Sequence, residues 1–293
     1  MITVSICMIT YNHEPYIVEA IEGVLMQKTT FPIELVIGED CSTDNTRKIV
    51  IEYAEKYPDK IRPILHEKNH GMMKNFIETT YAARGNYIAL CEGDDYWIDS
   101  YKLQKQVDFL EANEEYCLSF HKVEVVSENV KDHNIYEHLE EKEYSGYEIY
   151  NKWTIPTCSA VFRNYDGLIK IPNEILFGDI FLFLCLLEKG KAFCHDFEGA
   201  VYRRHSGSIS VQNDTEMSKK IFFQYKYMLK RFPIYKKISK INMNNWLEGL
   251  IYAPYFKGIW KFRFYKMYFE PRLFFTGFFT TTLTSYIFKR NRN

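Results

Sequence analysis

Over its first ninety residues the chain alternates between two hydrophobic rhythms. Apolar runs at 4–10, 33–38, 61–65 and 87–90 are separated by stretches of helical spacing at 15–26, 43–57 and 74–83. A parallel neighbour can be reached only by a crossover, so this alternation predicts a largely parallel sheet with helices on both faces. Such sheets bind ligands outside the carboxyl ends of their strands. Polar residues directly after the strands are therefore the candidates for function.

The later sequence continues with an amphipathic helix at 100–113, a strand at 117–126 and a charged stretch at 130–142 that reads as a hairpin or loop. A strand at 157–162, an apolar helix at 177–188 and a strand at 201–204 follow. Seven cysteines, Cys7, Cys41, Cys91, Cys117, Cys158, Cys185 and Cys194, show no metal-knuckle or redox spacing, and an odd number cannot all pair internally. A reducing compartment fits. No basic flank precedes the first apolar run, so the N-terminus does not read as a signal peptide and the expected location is cytoplasmic.

Four polar clusters follow the four early strands: Thr10-Tyr11-Asn12, Glu39-Asp40, Asn69-His70-Gly71 and Glu92-Gly93-Asp94-Asp95. Close carboxylates repel unless something cationic neutralises them. A hard divalent ion, Mn²⁺ or Mg²⁺, would accept Glu92, Asp94 and Asp95 and keep positions for phosphate oxygens. The alternative is a solvated acidic turn leading to the helix caps Asp99 and Ser100. Glu39 and Asp40 suit the base or ribose of a nucleotide, or else cap the next helix. Tyr11 offers a ring face for stacking on a base while Asn12 sets the turn, although ordinary packing is the other use of such a ring. Neither GxGxxG nor GxxxxGK[ST] is present, which argues against a dinucleotide dehydrogenase and leaves phosphate to metal and side chains.

In the second half, Asp179 follows Gly178 at the start of the apolar helix, as a cap or as a base. Arg203-Arg204-His205, followed by Ser206-Gly207-Ser208, is either a basic strand end at the surface or a group that closes over phosphate.

Thr10-Tyr11-Asn12, the run Glu39-Asp40-Cys41-Ser42-Thr43-Asp44, and Glu92-Gly93-Asp94-Asp95 together closely resemble the successive motifs of family-2 glycosyltransferases. The resemblance covers residues 3–210 and implies a GT-A fold, an α/β architecture acting on nucleotide-diphosphate sugars. It implies that residues 1–215 form the catalytic domain, with 1–99 as nucleotide-binding half and 100–215 as acceptor-side half; beyond it, the aromatic-basic helical pattern of 216–293, broken near Pro233, Pro254 and Pro271, reads as an appended helical extension. By the same resemblance Thr10 and Tyr11 line the base pocket, Asp40 contacts uracil, and Glu39 stands where the family often has Asp. Asp94 coordinates the ion, Glu92 faces ribose or the ion's water shell, and Asp95 supports the shell or contacts sugar. Gly71 and Lys74 fall where the family often shows a glycine followed by Ala-Arg-Asn; this chain has Met73-Lys74-Asn75, so phosphate would meet an ammonium without arginine's fork. Asp179 takes the acceptor proton, although the family's preceding Glu is here Gly178. His205, preferred over His195, His66 and His70, binds the ion or diphosphate while Arg203 or Arg204 neutralises the leaving group. The implied reaction is inverting transfer from a UDP-sugar to a glycan or lipid-linked oligosaccharide. The competing reading is a non-catalytic nucleotide-sugar or glycan-binding protein.

A net charge of −1 conceals a division: residues 216–293 carry sixteen Lys/Arg against three Asp/Glu. Aromatic residues recur among them, from Phe222, Tyr225 and Tyr227 to Trp260, Phe262, Phe264 and Tyr268, and an uncharged run occupies 273–288. That run is short of the roughly 20 residues a comfortable span requires. The composition fits peripheral attachment at the inner face of the plasma membrane, or else packing against the catalytic body or within a homo-oligomer. The basic charge is segregated from the acidic rim, and no nucleic-acid partner is expected.

Overall fold

The structure is a computed structural model that describes residues 2–127, 135–165, 167, 171–172, 175–207 and 215–243. Ser208, residues 130–134, the aromatic positions from Trp260 to Tyr268 and the run 273–288 lie outside the described residues.

The first half forms β1 (Val4–Thr10), α1 (Ile17–Leu25), β2 (Ile33–Glu39), α2 (Thr46–Lys56), β3 (Ile61–Leu65), α3 (Met72–Tyr81) and β4 (Tyr87–Leu90). Then come β5 (Tyr96–Trp97), α4 (Lys102–Ala112), β6 (Tyr116–Ser127), β7 (Lys142–Tyr144), α5 (Gly146–Lys152) and β8 (Val161–Arg163). The described elements finish with α6 (Gly178–Leu186), β9 (Lys191–Arg204) and α7 (Thr215–Arg231). One sheet has the order β3-β2-β1-β4-β8-β6-β9-β5, with β7 paired to β9. The β3-β2-β1-β4 block and the β6–β9 pair are parallel, whereas β8, β5 and β7 run antiparallel to their partners.

Central β1 is apolar on both faces because helices cover it on both sides: Val4, Ile6 and Met8 are fully buried in a cluster with Ile17 and Ile21 of α1. The same cluster takes in Trp97, whose Nε1 donates to the Cys158 carbonyl at 2.8 Å and so joins the turn after β4 to the second half. A Cβ on Gly23 would lie 2.8 Å from the Trp97 backbone nitrogen, so only glycine lets α1 approach β5 this closely.

The largest departures from expectation lie at α2, β8 and β9. α2 begins at Thr46, not at 43, because Asp44 Oδ1 accepts from the Thr46 amide at 2.9 Å while Asn12 Oδ1 accepts from Thr43 N at 2.8 Å. Residues Thr157–Ser159 form a 3-10 turn before β8, closed by the Ser159 hydroxyl donating to the Pro156 carbonyl at 2.7 Å. β9 starts at Lys191, well before the expected strand at 201–204. The first compact unit runs Met1–Ile241 and includes α7; the second is Asn242–Asn293. Within the first, Gln224 Oε1 of α7 accepts from Leu176 N at 3.0 Å and Phe177 N at 2.9 Å.

Candidate active site

The four parallel strands deliver their carboxyl ends to one edge, and backbone bonds continue past them. Asp40 N donates to the Thr10 carbonyl at 3.1 Å, Gly93 N to Ile9 at 2.9 Å and His66 N to Glu39 at 3.1 Å. The four polar clusters expected to meet are thereby knitted into one rim.

At the β1–β2 end, much of the polar chemistry is spent on loop architecture. Asn12 adopts a positive φ of 55°, which Asn tolerates better than most residues; its Oδ1 accepts from Thr43 N at 2.8 Å and its backbone amide donates to the Ser42 hydroxyl at 3.0 Å. Buried Glu39 accepts from Ser42 N at 2.7 Å and pairs with Arg47 at 3.2 Å. Both oxygens of Asp40 accept backbone amides, from His70 at 2.7 Å and Gly71 at 2.8 Å. Gly71, at φ 84°, makes the turn into α3. Lys74 is exposed and pairs with Glu78 at 3.6 Å along the helix. Tyr11 presents an exposed ring beside these loops.

The turn after β4 holds the strongest electrostatics. Burial, then the charges of Asp95, Asp94 and Asp179, push the Glu92 carboxyl well above the ordinary range. Glu92 Oε2 is buried with no hydrogen-bond partner. Burial also opposes ionisation of Asp94, but the bond from His205 and the nearness of His13 outweigh it and hold this carboxyl below its usual value. His205 Nε2 lies 3.1 Å and His13 Nε2 3.9 Å from the same oxygen, Asp94 Oδ2. The three side chains offer ligand atoms within 4.8 Å of one another. Burial lowers the His13 pKa, favouring the neutral imidazole that a metal requires. One carboxylate and two imidazoles are a donor set that fits a divalent cation, and the imidazoles suit Mn²⁺ better than Mg²⁺.

His13 is the residue sequence reading missed. It directly follows Thr10-Tyr11-Asn12, but only the fold brings it to Asp94. A Cβ on Gly93 would come within 3.0 Å of His13 Nδ1 and 2.7 Å of Thr10 Oγ1, so glycine at 93 lets the two loops close on each other.

Asp95 and Arg203 are committed differently from the expectation. Asp95 Oδ1 accepts the backbone amide of Arg203 at 2.8 Å, fixing β9 to the turn. The Arg203 guanidinium donates to the Asp94 carbonyl at 2.7 Å, pairs with Glu19 of α1 at 2.6 Å, and lies over the Tyr16 and Tyr96 rings. Both fork nitrogens are engaged in holding α1, the turn and β9 together. Arg204, the last residue of β9, is half-buried.

Asp179 opens α6. Its Oδ1 accepts from Ile180 N at 2.7 Å and its Oδ2 from the Thr157 hydroxyl at 3.2 Å. Burial raises its pKa, with those two bonds opposing. Its charge is felt at Glu92 and at Tyr136, whose phenol is pushed up first by burial and then by Tyr202, Cys158, Asp179 and Asp95. Tyr136 belongs to the stretch read as a loop, and its place near both carboxylates had no signal in the sequence.

A mostly parallel α/β sheet with an acidic, histidine-bearing rim and flanking helices is a GT-A architecture. The chain belongs to glycosyl transferase family 2, whose pattern it matches over residues 5–166. It is 40% identical over 206 residues to the uncharacterized protein Rv1520 of Mycobacterium tuberculosis, covering 70% of this chain and 60% of that protein, so it spans less than two thirds of that relative. It is 32% identical over 226 residues to TuaG of Bacillus subtilis, named for teichuronic acid biosynthesis, covering 76% of this chain and 87% of TuaG. Among solved structures, S. aureus TarS 1-349 in complex with UDP aligns with a TM-score of 0.62 at 18% identity, covering 92% of this chain and 76% of that one. The mannosyltransferase PcManGT from Pyrobaculum calidifontis, in complex with GDP-Man and Mn²⁺, aligns at 0.56 and 15%, covering 86% and 76%. These two likenesses are of fold.

Proposed function

We propose that this chain transfers a sugar from a nucleotide-diphosphate donor, a UDP-sugar, to a hydroxyl of a glycan or lipid-linked glycan, inverting the anomeric configuration. The observation that carries the reading is that Asp179, from the second half of the chain, lies near enough to the acidic turn for its charge to help raise the Glu92 carboxyl. Had Asp179 been remote from the acidic turn, no single pocket could hold donor and base. Family membership supports nucleotide-sugar chemistry; the nucleotide and the acceptor are proposals.

In this reading residues 1–99 bind the nucleotide, with Tyr11 against the base, the Thr10–Asn12 and Glu39–Asp40 loops around it, and Gly71 and Lys74 at its edge. Residues 100–215 face the acceptor. Asp94, His13 and His205 hold Mn²⁺ or Mg²⁺, with Glu92 beside them; such an ion supplies positive charge against the departing diphosphate. Asp179 removes the proton of the acceptor hydroxyl, whose oxygen bonds to the anomeric carbon as the bond from that carbon to the diphosphate breaks. A carboxylate with its pKa raised by burial is a stronger base than one in water. Arg203 or Arg204 of the late motif supplies positive charge near the leaving group, and Asp95 acts through the backbone it holds.

The basic aromatic extension is assigned to the cytoplasmic membrane surface or to a second copy of the chain. Among the described residues no helix is long and apolar enough to cross a membrane.

The deciding experiment is a panel of UDP- and GDP-sugars with Mn²⁺ or Mg²⁺, following donor-dependent nucleoside diphosphate release and transfer into a glycolipid pool. Donor binding with neither release nor transfer, across the panel, would make the protein a nucleotide-sugar binder and end the transferase reading.

A further inference from the structure

A second group of metal-type ligands sits at the β3–α3 corner, made of residues distinct from Asp94, His13 and His205. His66 follows β3 directly and is buried at 7% exposure; His70 lies in the following loop and Glu78 on α3. The tautomer of His66 is set by its neighbours. Asn75 Nδ2 donates to the Gly38 carbonyl at 2.8 Å, which orients the Asn75 amide so that Oδ1 faces His66 Nε2 at 3.1 Å. His66 Nε2 therefore carries a proton and donates it. The same amide oxygen also accepts from the Thr79 hydroxyl at 3.3 Å, confirming its acceptor role. In that neutral tautomer Nδ1 keeps its lone pair for a cation, and it lies 3.5 Å from Glu78 Oε2.

His70 Nδ1 approaches the same oxygen at 3.3 Å, with the two imidazole rings 4.5 Å apart. A tetrahedral ion with bonds of about 2.0–2.1 Å separates its ligands by about 3.3–3.4 Å. The two nitrogen-to-oxygen spacings, 3.5 Å and 3.3 Å, are close to that edge length. Asp40 stands alongside, with a carboxylate oxygen and one nitrogen from each of His66 and His70 all within 4.8 Å of one another. Lys74 engages the other Glu78 oxygen, leaving Oε2 for the imidazoles. A ligand imidazole whose second nitrogen donates to a fixed carbonyl oxygen is the usual outer-shell arrangement of a metal centre.

We propose that His66, His70 and Glu78, with Asp40 as neighbouring carboxylate, form a zinc-type metal site that clasps the loop 66–71 to α3. Two imidazoles and a carboxylate favour Zn²⁺ over the oxygen-seeking Mg²⁺. The site does not depend on the transferase reading. Because Asp40 binds the His70 and Gly71 amides, an ion here would stiffen the loop that borders the proposed base pocket.

The test uses the full chain with the Asp94→Asn change, so that the first centre contributes little, and Co²⁺ as an optical stand-in for Zn²⁺. One equivalent of Co²⁺ should give the visible absorption of a tetrahedral site, competed away by Zn²⁺, and Zn²⁺ should raise the melting temperature. Adding Glu78→Gln should weaken Co²⁺ binding at least about 10-fold, the lower end of losses even for outer-shell changes. His70→Asn should do the same while keeping the backbone bond to Asp40, which covers a Glu78→Gln protein that fails to fold. Absence of the absorption in the Asp94→Asn chain, or equal affinity in the folded variants, would overturn the site and assign the cluster to a shared proton.

Discussion

His205 Nε2 lies 3.1 Å from Asp94 Oδ2, across 111 residues of sequence. The contact joins the end of β9 to the turn after β4 and places His13 on the same carboxylate oxygen at 3.9 Å. A motif read as acidic is, once folded, a mixed carboxylate–imidazole site.

The first prediction concerns that mixture. His13→Ala should lower Mn²⁺ affinity by about 10-fold or more, and Asp94→Ala should abolish metal-assisted donor binding. Titration of free Mn²⁺ by electron paramagnetic resonance measures both. Unchanged affinity in His13→Ala would remove His13 from the centre.

Asp179→Asn keeps the size of the side chain and removes its basicity. Donor affinity should stay close to wild type while turnover falls roughly 10²- to 10⁴-fold, the usual contribution of a positioned general base. Calorimetric donor binding set against transfer rate separates the two quantities. Turnover at the wild-type level would dismiss Asp179 as the base.

Gly23→Ala should destabilise the fold by about 1–3 kcal/mol through overpacking, since the new methyl meets Trp97 backbone and not a flexible side chain. The midpoint of urea unfolding reads this out, and a neutral result would mean that α1 can retreat from β5 without cost.

Lys102 is wholly buried over the Trp97 ring and donates to Gln106 Oε1 at 2.9 Å; burial lowers its pKa to about 7 from 10.5. The unfolded chain therefore holds one more proton than the native one between those values. Stability from this group should rise with pH from about 7 to 10.5, at no more than roughly 1.4 kcal/mol per pH unit, and stay level below 7. Lys102→Met should flatten that rise in denaturant titrations across the window; identical slopes would show that the lysine stays charged in the fold.

Removing residues 273–293 should reduce co-sedimentation with anionic vesicles while donor binding persists. Unchanged sedimentation together with impaired folding would favour packing as the role of the tail.

Much of the donor side was legible in the sequence. The runs 4–10 and 87–90 are β1 and β4 with the expected bounds, because buried parallel strands are short apolar blocks with polar residues at their ends. The same logic singled out Asp40, Glu92 and Asp94 as strand-end residues, which is where the structure places them. What resisted reading depends on contacts distant in sequence. His13 is one polar residue after a polar turn until β9 brings His205 to Asp94. The early part of β9 alternates exposed and buried positions and carries charges, as a strand with one open face does, so its pattern is weak. Arg203 looks like a phosphate clamp and nothing more until Glu19, far away on α1, is seen to engage it.

The Asp95–Arg203 backbone bond adjoins Asp94 on one side and lies two residues before His205 on the other. It gauges the gap between these two groups with protein atoms alone, so the coordination pocket exists before anything enters it. In the proposed centre a cation would meet a carboxylate and an imidazole already held at their spacing, and its exchange would ask for no rearrangement of the backbone.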